Sequence, residues 1–393
     1  MPVIIFAVFI DLLGFGIIIP ILPFLTLQYG GDALLGAALM SVYSLTTFLA
    51  GPLWGRLSDK IGRRPALAAT FFGSTVAYTM LAFSDSLIML FVARAMSGMM
   101  AGNVGIAMAA MSDLTDENNR GRAMGLIGAA FGLGFAFGPF IGGLLGGVGG
   151  EPNVFIPGLA AAAFSFTAMM LTLRFMPETS TAGHDTTLNE SEPDAPLPHW
   201  TAVLRAPGAF ALYAMFFITA VGQSICFAIT PFWANAILGW SQTQVGFLLA
   251  GVGLCVAAIQ SLAVGPLFRV FGEVKALILG AVTHLTGILL LFIAPAHPAT
   301  AIVAFPMIMS GLTISFPALN SLVSMRSDRR VQGTALGLSS GISALGRVFG
   351  PLSGGFIFEG FSAYTPYLAV ALTGAIVLTW AVFEIRQLAS RAI

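Results

Sequence analysis

Charge is scarce in this 393-residue chain: Asp, Glu, Lys and Arg together make up 9% of it, against roughly 25% in an average soluble domain. The 17 basic and 17 acidic side chains cancel, and a net charge of zero gives no footing for nucleic acid or an acidic partner. Cysteine is almost missing. Cys226 and Cys255 sit in separate apolar segments without metal-ligand spacing, so both are expected as free buried thiols and no metal is expected. There is no H-E-x-x-H, and neither lysine, Lys60 or Lys275, sits in a phosphate loop, so direct drive by ATP is not supported. The one G-x-S-x-G match, Gly337 to Gly341, falls in an apolar helical stretch, without the strand–turn–helix elbow that this chemistry needs. Neither catalysis nor a cofactor is expected. The N-terminus lacks a basic leader and Asp11 interrupts the first apolar run, so a cleaved signal peptide is not expected.

What fills the chain instead is apolar side chain, 57% of all residues. A water-soluble fold of this size needs a polar surface that such a composition cannot supply, so the natural solvent is lipid. A bilayer core of about 30 Å takes about 20 apolar residues per helix. The pattern predicts an all-α integral membrane protein. Twelve spans are placed near 3–26, 33–54, 66–84, 87–111, 123–147, 155–174, 208–232, 243–265, 275–295, 300–324, 334–358 and 366–385. The 46 glycines are scattered through these runs, where small residues let membrane helices approach closely.

On this map the loops that carry basic side chains all fall on one side. Arg56, Lys60, Arg63 and Arg64 follow span two, Arg120 and Arg122 follow span four, and Arg174 and Arg205 flank the middle of the chain. Arg269 and Lys275 follow span eight, Arg326, Arg329 and Arg330 follow span ten, and Arg386 and Arg391 lie at the tail. The opposite loops carry only Asp32, Asp85, Glu151 and Glu359. By the positive-inside rule both termini are cytoplasmic. The stretch 175–203 holds five acidic residues and four prolines and cannot bury enough apolar surface to fold alone. It reads as a flexible linker, with His184 and His199 as ordinary solvated side chains. The domain expectation is therefore a six-helix bundle over 1–174, a cytoplasmic linker over 175–205 and a second six-helix bundle over 206–393.

The two halves repeat each other. Gly134, Gly138, Pro139, Gly142 and Gly143 recur at identical spacing as Gly346, Gly350, Pro351, Gly354 and Gly355. Gly121 and Gly125 recur at the same offset as Gly333 and Gly337, and Gly51-Pro52-Leu53 recurs as Gly265-Pro266-Leu267. A parallel internal repeat with a central linker is the architecture of a rocking transporter, with its substrate site at mid-membrane between the halves.

Four segments carry chemistry. The loop after span two reads Gly55-Arg56-Leu57-Ser58-Asp59-Lys60-Ile61-Gly62-Arg63-Arg64-Pro65 and resembles the G-x-L-a-D-r-x-G-r-k signature of the major facilitator superfamily. Gly55 would allow close helix contact, Asp59 would sit at the positive N-terminal end of span eleven near Thr334, and Arg63 and Arg64 would hold the loop by ion pairs. Such a latch forms only when the cytoplasmic side is closed. A plain basic loop that sets topology is the competing reading. Span one holds Leu13-Gly14 and Pro20-Ile21-Leu22-Pro23, similar to the l-g-x-x-x-x-x-P-v-x-P pattern of twelve-span drug–proton antiporters, with Asp11 in the same apolar run. Span four carries Arg94, the only apparent cation on this side of the protein, within a segment resembling the l-x-x-x-R-x-x-q-G motif with Ser97 where Gln is commoner. Charges inside a membrane are costly, so they usually pair and usually work. A movable Asp11–Arg94 pair would take up and release a proton, while a fixed pair would merely pin spans one and four. Span five carries Gly134, Gly138, Pro139, Gly142 and Gly143 in a pattern resembling the g-x-x-x-G-P-x-x-G-G element of exporters, with helix packing as the alternative.

The remaining membrane polars are open. His284 in span nine and Arg347 in span eleven could join a proton path, contact substrate or be satisfied packing groups. Asn103, Gln223, Gln260 and Asn320 are candidate cavity-lining hydrogen bonders. The 33 phenylalanines and 17 methionines could line an adaptable apolar pocket, though most must face lipid or other helices.

The resemblance covers the whole chain, and its order is closest to tetracycline efflux proteins. It implies a proton-driven exporter of a lipophilic small molecule, monomeric, in a bacterial inner membrane, with a proton gradient in place of any cofactor. Departures bear on the substrate. Tetracycline exporters of the Gram-negative class carry a span-three Asp before a Tyr, where this chain has Ala77 before Tyr78. Their span-eight His aligns with Val256 and their span-nine Asp with His284, so another lipophilic compound is expected. Two rivals stand beside this. A sugar or metabolite carrier would need more polar cavity residues and leaves the span-five element unexplained. A non-transporting sensor or scaffold on the same fold would bind partners and give no flux.

Overall fold

The computed structural model describes residues 2–115, 117–147, 152–179, 203, 208–294, 296–327 and 331–391. The linker expected over 175–205 falls largely outside them, with His184, His199 and Arg205, and so do Glu151, Arg329 and Arg330. The side chains of Arg120, Arg122 and Arg391 and the surroundings of Gly121, Gly125 and Gly333 also lie outside the description.

All regular structure among the described residues is helical. The first half of the sequence forms α1 (Pro2–Ile18), α2 (Leu22–Gln28), α3 (Ala33–Ile61), α4 (Arg63–Ala82), α5 (Leu87–Met100), α6 (Asn103–Asp113), α7 (Glu117–Gly146) and α8 (Phe155–Phe175). The second forms α9 (Ala209–Leu238), α10 (Gln242–Ala258), a π turn (Ile259–Ala263), α11 (Val264–Phe271), α12 (Glu273–Ile293), α13 (Pro298–Arg326), α14 (Gln332–Gly360) and α15 (Thr365–Arg391). Ten of these rods are long and apolar enough to cross a bilayer, counting α1 with α2, α5 with α6, and α10 through α11 as one each. The other two, α7 and α14, are 30 and 29 residues long, and α7 contains the apolar stretch Gly132–Gly146. Large side chains such as Phe72, Ile88, Leu262 and Phe356 stand exposed, as expected of a lipid-facing surface.

Three expected spans are not continuous. Span one breaks between Ile18 and Leu22, because Pro20 and Pro23 cannot donate to the helical ladder. Span four breaks at Ala101-Gly102, and span eight relaxes into the π turn that carries Gln260. The expected loop after span two is also corrected. Helix α3 runs on through Gly55 to Ile61, and only Gly62, at φ +98°, interrupts it before α4 begins at Arg63.

Two compact units emerge from the packing. One takes Met1–Ala182 with Phe227–Ala257 and Pro351–Thr365, and the other takes Gly183–Cys226, Ala258–Gly350 and Pro366–Ile393. The first unit therefore includes parts of α9, α10 and α14 from the second half of the sequence. Its core joins Val8, Phe71, Ile106 and Met111 on one side and Ile18, Leu22, Leu39 and Tyr78 on the other. The second unit is centred on Phe216, Leu277, Leu319, Leu322 and Ala381.

Glycines set the closest helix contacts, and the repeat in sequence is a repeat in packing. A Cβ at Gly134 would lie 2.7 Å from Leu12 Cβ and one at Gly138 2.6 Å from Gly16 Cα, so α7 presses on α1. At the matching positions Gly346 would meet Ala220 Cβ at 2.6 Å and Gly350 would collide with Ser224, so α14 presses on α9 in the same way. Gly142 faces the Ile17 carbonyl, and Gly143 turns to α10, where its Cβ would lie 2.8 Å from Gly246 Cα. Its counterpart Gly355 turns to α3, 2.8 Å from Leu34 Cα.

Both cysteines are free, but only Cys226 is buried, whereas Cys255 is exposed. The expectation of two buried thiols fails at Cys255 because an apolar segment can face lipid as readily as protein.

Candidate functional site

Asp11 is 5% exposed on α1, surrounded by the first unit. Its Oδ1 accepts from Ser165 Oγ of α8 at 2.7 Å, and its Oδ2 accepts from Asn103 Nδ2. Asn103 reaches it because the break at Ala101-Gly102 restarts the helix there, with Oδ1 of Asn103 accepting the Val104 N–H at 2.8 Å. Both partners of the carboxyl group are neutral donors.

Arg94 is 1% exposed on α5 and does not pair with Asp11, which corrects the expected ion pair. Its guanidinium lies 4.4 Å from the centroid of the Tyr43 ring and 5.6 Å from that of Phe15, and Nη2 approaches Met40 Sδ at 3.7 Å. Nε and Nη1 make no hydrogen bond among the described residues. The aromatic faces take the place the carboxylate was expected to fill, since a ring quadrupole attracts a cation laid over it. Tyr78, buried on α4, lies within electrostatic reach of both Asp11 and Arg94. The two charges are thus held separately, each by its own neighbours.

Ser165, Tyr43, Phe15 and Tyr78 were not singled out by the sequence as site residues. For Ser165 no local signal existed. Hydroxyls in membrane helices commonly bond back to their own turn, as Thr26, Thr75 and Thr167 do here, and Ser165 looks the same in sequence. A ring one turn after Asp11, Phe15, was the one available hint.

The signature segment lies across the end of α3 and the start of α4. Arg63 Nη1 bonds Asp59 Oδ1 at 2.6 Å and Ser58 Oγ at 2.6 Å, and its Nε reaches Asp113 Oδ2 of α6 at 3.3 Å. Among the described residues Arg64 forms no such ion pair and instead donates to the Leu173 carbonyl. Glu178 Oε1 takes the Arg63 N–H at 2.7 Å and so caps α4. A Cβ at Gly62 would lie 2.6 Å from that carboxylate, so this position needs glycine both for space and for its positive φ. Among the described residues nothing lies within 4 Å of a Cβ at Gly51 or Gly55, so the close contact expected at Gly55 is not made there.

The expected cavity residues scatter. Asn103 is spent on Asp11. Gln223 is half-buried on α9, while Gln260, Asn320 on α13 and Arg347 on α14 are exposed. His284, 1% exposed, is seated between two backbone carbonyls in the second unit.

A family model, the Major Facilitator Superfamily, matches residues 4–242 and 212–392. The class E tetracycline resistance protein of Escherichia coli is 30% identical over 360 residues, covering 90% of this chain and 86% of the relative. The class G protein of Vibrio anguillarum is 31% identical over 348 residues, covering 87% and 86%. Multidrug resistance protein 1 of Bacillus subtilis is 24% identical, covering 95% and 94%. Among solved structures, the human organic anion transporter MFSD10 superposes with a TM-score of 0.71 at 22% identity, covering 97% of this chain and 98% of the other. The nucleoside transporter NupG gives 0.76 at 16% identity, with the same coverage. With matches over the whole length, 30% identity over nine-tenths of it and the same helical architecture, the chain belongs to the major facilitator superfamily, a family of membrane transporters and not of enzymes.

Proposed function

We propose that the chain exports a lipophilic small molecule in exchange for protons, by alternating access of two six-helix halves, 1–174 and 206–393, across a bacterial inner membrane. Both termini are cytoplasmic in this reading, and twelve spans follow from adding α7 and α14 to the ten strongly apolar rods. The observation that carries it is Asp11: a carboxyl group buried in an apolar helix and held by an amide and a hydroxyl rather than by a countercharge. With a cation beside it, the group would be locked as the anion. With neutral donors only, the site can hold the proton or release it as its exposure changes.

Relatives bearing the names of tetracycline and multidrug resistance proteins favour drug-like cargo and the outward direction. Ala77, Val256 and His284 stand where tetracycline exporters carry Asp, His and Asp, so a compound other than the tetracycline chelate is the better candidate. The Gly55 to Arg64 segment acts as the cytoplasmic latch, and the open space beside Gly51 and Gly55 is the berth for an approaching helix.

Reconstituted vesicles give the test. Substrate movement should follow an imposed pH gradient, and Asp11→Asn should leave only exchange that ignores it. Flux that is indifferent to pH in the parent protein, or still coupled in the variant, would remove the mechanism.

A further inference from the structure

A second buried titratable group, His284, lies in the other unit and plays no part in the Asp11 site. Its ring is seated by glycines. A Cβ at Gly374 of α15 would collide with the ring, and a Cβ at Gly311 of α13 would lie 2.8 Å from His284 Cβ. In that seat both ring nitrogens point at backbone carbonyls. Nδ1 is 3.2 Å from Ile308 O of α13, and Nε2 is 3.1 Å from Val370 O of α15, which also accepts from Thr373 Oγ1 at 2.7 Å. A neutral imidazole has one N–H and one lone pair, so it satisfies one carbonyl and turns a lone pair on the other. Only the imidazolium donates to both.

We propose that His284 is a proton-binding site of the second half, holding its proton between the Ile308 and Val370 carbonyls and clamping α13 to α15 through α12 when it is loaded. Among the described residues, none that lines the cavity beside the ring carries a charge. Thr219 comes from α9, Leu312 and Ser315 from α13, and Thr373 and Val377 from α15. Two charge-assisted hydrogen bonds, each roughly twice as strong as a neutral one, offset part of the cost of a buried charge. Beside the ring is a cavity of about 10 Å³, room for about one water, and the Thr219 hydroxyl that lines it has no partner among the described residues. That gives the proton a polar neighbour to pass through. Losing the proton leaves one carbonyl against a bare nitrogen, so the packing of α12 with α13 and α15 depends on occupancy. The binding of the proton stands on this geometry alone, and only its use in transport rests on the antiport reading.

The experiment is nitrogen NMR of the full chain, labelled at histidine, in lipid nanodiscs. The protein has four histidines, and the difference spectrum against His284→Asn assigns the one of interest. The expected result at pH 6 is a pair of ring nitrogens that both carry protons, giving way to a neutral tautomer as pH rises. Gly374→Ala, which keeps the histidine but pushes the ring from Val370, should weaken proton binding at least tenfold. A bare nitrogen on His284 in folded protein at pH 5.5 would overturn the proposal. An unchanged titration in folded Gly374→Ala would overturn the carbonyl seat. Neither readout needs a transported substrate, so failure here is separable from failure of coupled export.

Discussion

Glu359 Oε1 accepts the backbone N–H of Ala33 at 2.8 Å, so a carboxylate at the end of α14 caps the start of α3. It works beside the helix's own cap, Asp32 Oδ1, which takes the Leu35 N–H at 2.8 Å, and beside the close approach of Gly355 to Leu34. Anions are favoured at helix N-termini, where backbone donors are otherwise unmatched. The contact joins the two sequence halves inside one compact unit, on the side that carries Asp32 and Glu359 and no Lys or Arg loop.

Glu359→Ala should weaken that junction by about 1–2 kcal/mol, the usual worth of a helix cap. In a background without Cys226 and Cys255, a cysteine at Leu34 should then react roughly tenfold faster with an impermeant maleimide, since about 1.4 kcal/mol is a factor of ten. Glu359→Gln keeps an acceptor and should fall between. Equal rates in all three proteins would mean that the cap contributes nothing to closure.

The glycines separate into two kinds with different expected costs. Gly138→Ala forces a methyl to within 2.6 Å of Gly16 Cα, where backbone meets backbone and neither side can yield cheaply. Overpacking of this sort costs about 1–3 kcal/mol, so the melting temperature should fall by several degrees. Gly55→Ala adds its methyl to open space and should leave melting unchanged. If Gly55 is kept for the latch, the same variant should instead slow transport. A thermal melt and a flux assay on both proteins decide the matter, and an inverted pattern would assign the roles wrongly.

What the sequence revealed, it revealed through contrast. Asp11 and Arg94 stand out because each is a charge in an apolar run, and the repeat stands out because Gly134 to Gly143 returns as Gly346 to Gly355. The partners of those charges could not be read, since Ser165 and Tyr43 are ordinary residues of a membrane helix until the fold brings them within reach. Hydropathy also reports where lipid ends rather than where a helix ends, which is why the charged segment from Gly55 to Ile61 looked like a loop and is the continuation of α3. Cys255 shows the same limit, because an apolar helix among lipids carries little periodicity to tell its two faces apart.

The carboxyl group of Asp11 depends on its two donors in a way that can be split. Ser165→Ala removes the bond to Oδ1 and leaves Asn103 on Oδ2. A buried acceptor left unmet costs about 1–3 kcal/mol, so stability should drop by that order. A purely structural serine would stop there. Because the hydroxyl touches the carboxyl group proposed to carry the proton, Ser165→Ala should also move the pH profile of transport, whereas Ser97→Ala, whose hydroxyl only bonds back to the Arg94 carbonyl at 3.0 Å, should not. A fixed profile in Ser165→Ala would detach Ser165 from the chemistry.

Arg94 tests whether an aromatic face can stand in for a counterion. Its guanidinium is closer to the ring of Tyr43 than to that of Phe15, so Tyr43 should hold most of the attraction. Tyr43→Phe keeps the ring and should melt close to the parent protein. Tyr43→Leu removes the π-face and leaves a buried cation with the more distant Phe15 ring and Met40 Sδ, at a cost of about 2 kcal/mol for a desolvated contact. The double variant Tyr43→Leu with Arg94→Leu should recover part of that loss, because the charge that needed the ring is gone. Without such recovery, the ring serves only as packing and the cation is held by something other than Tyr43.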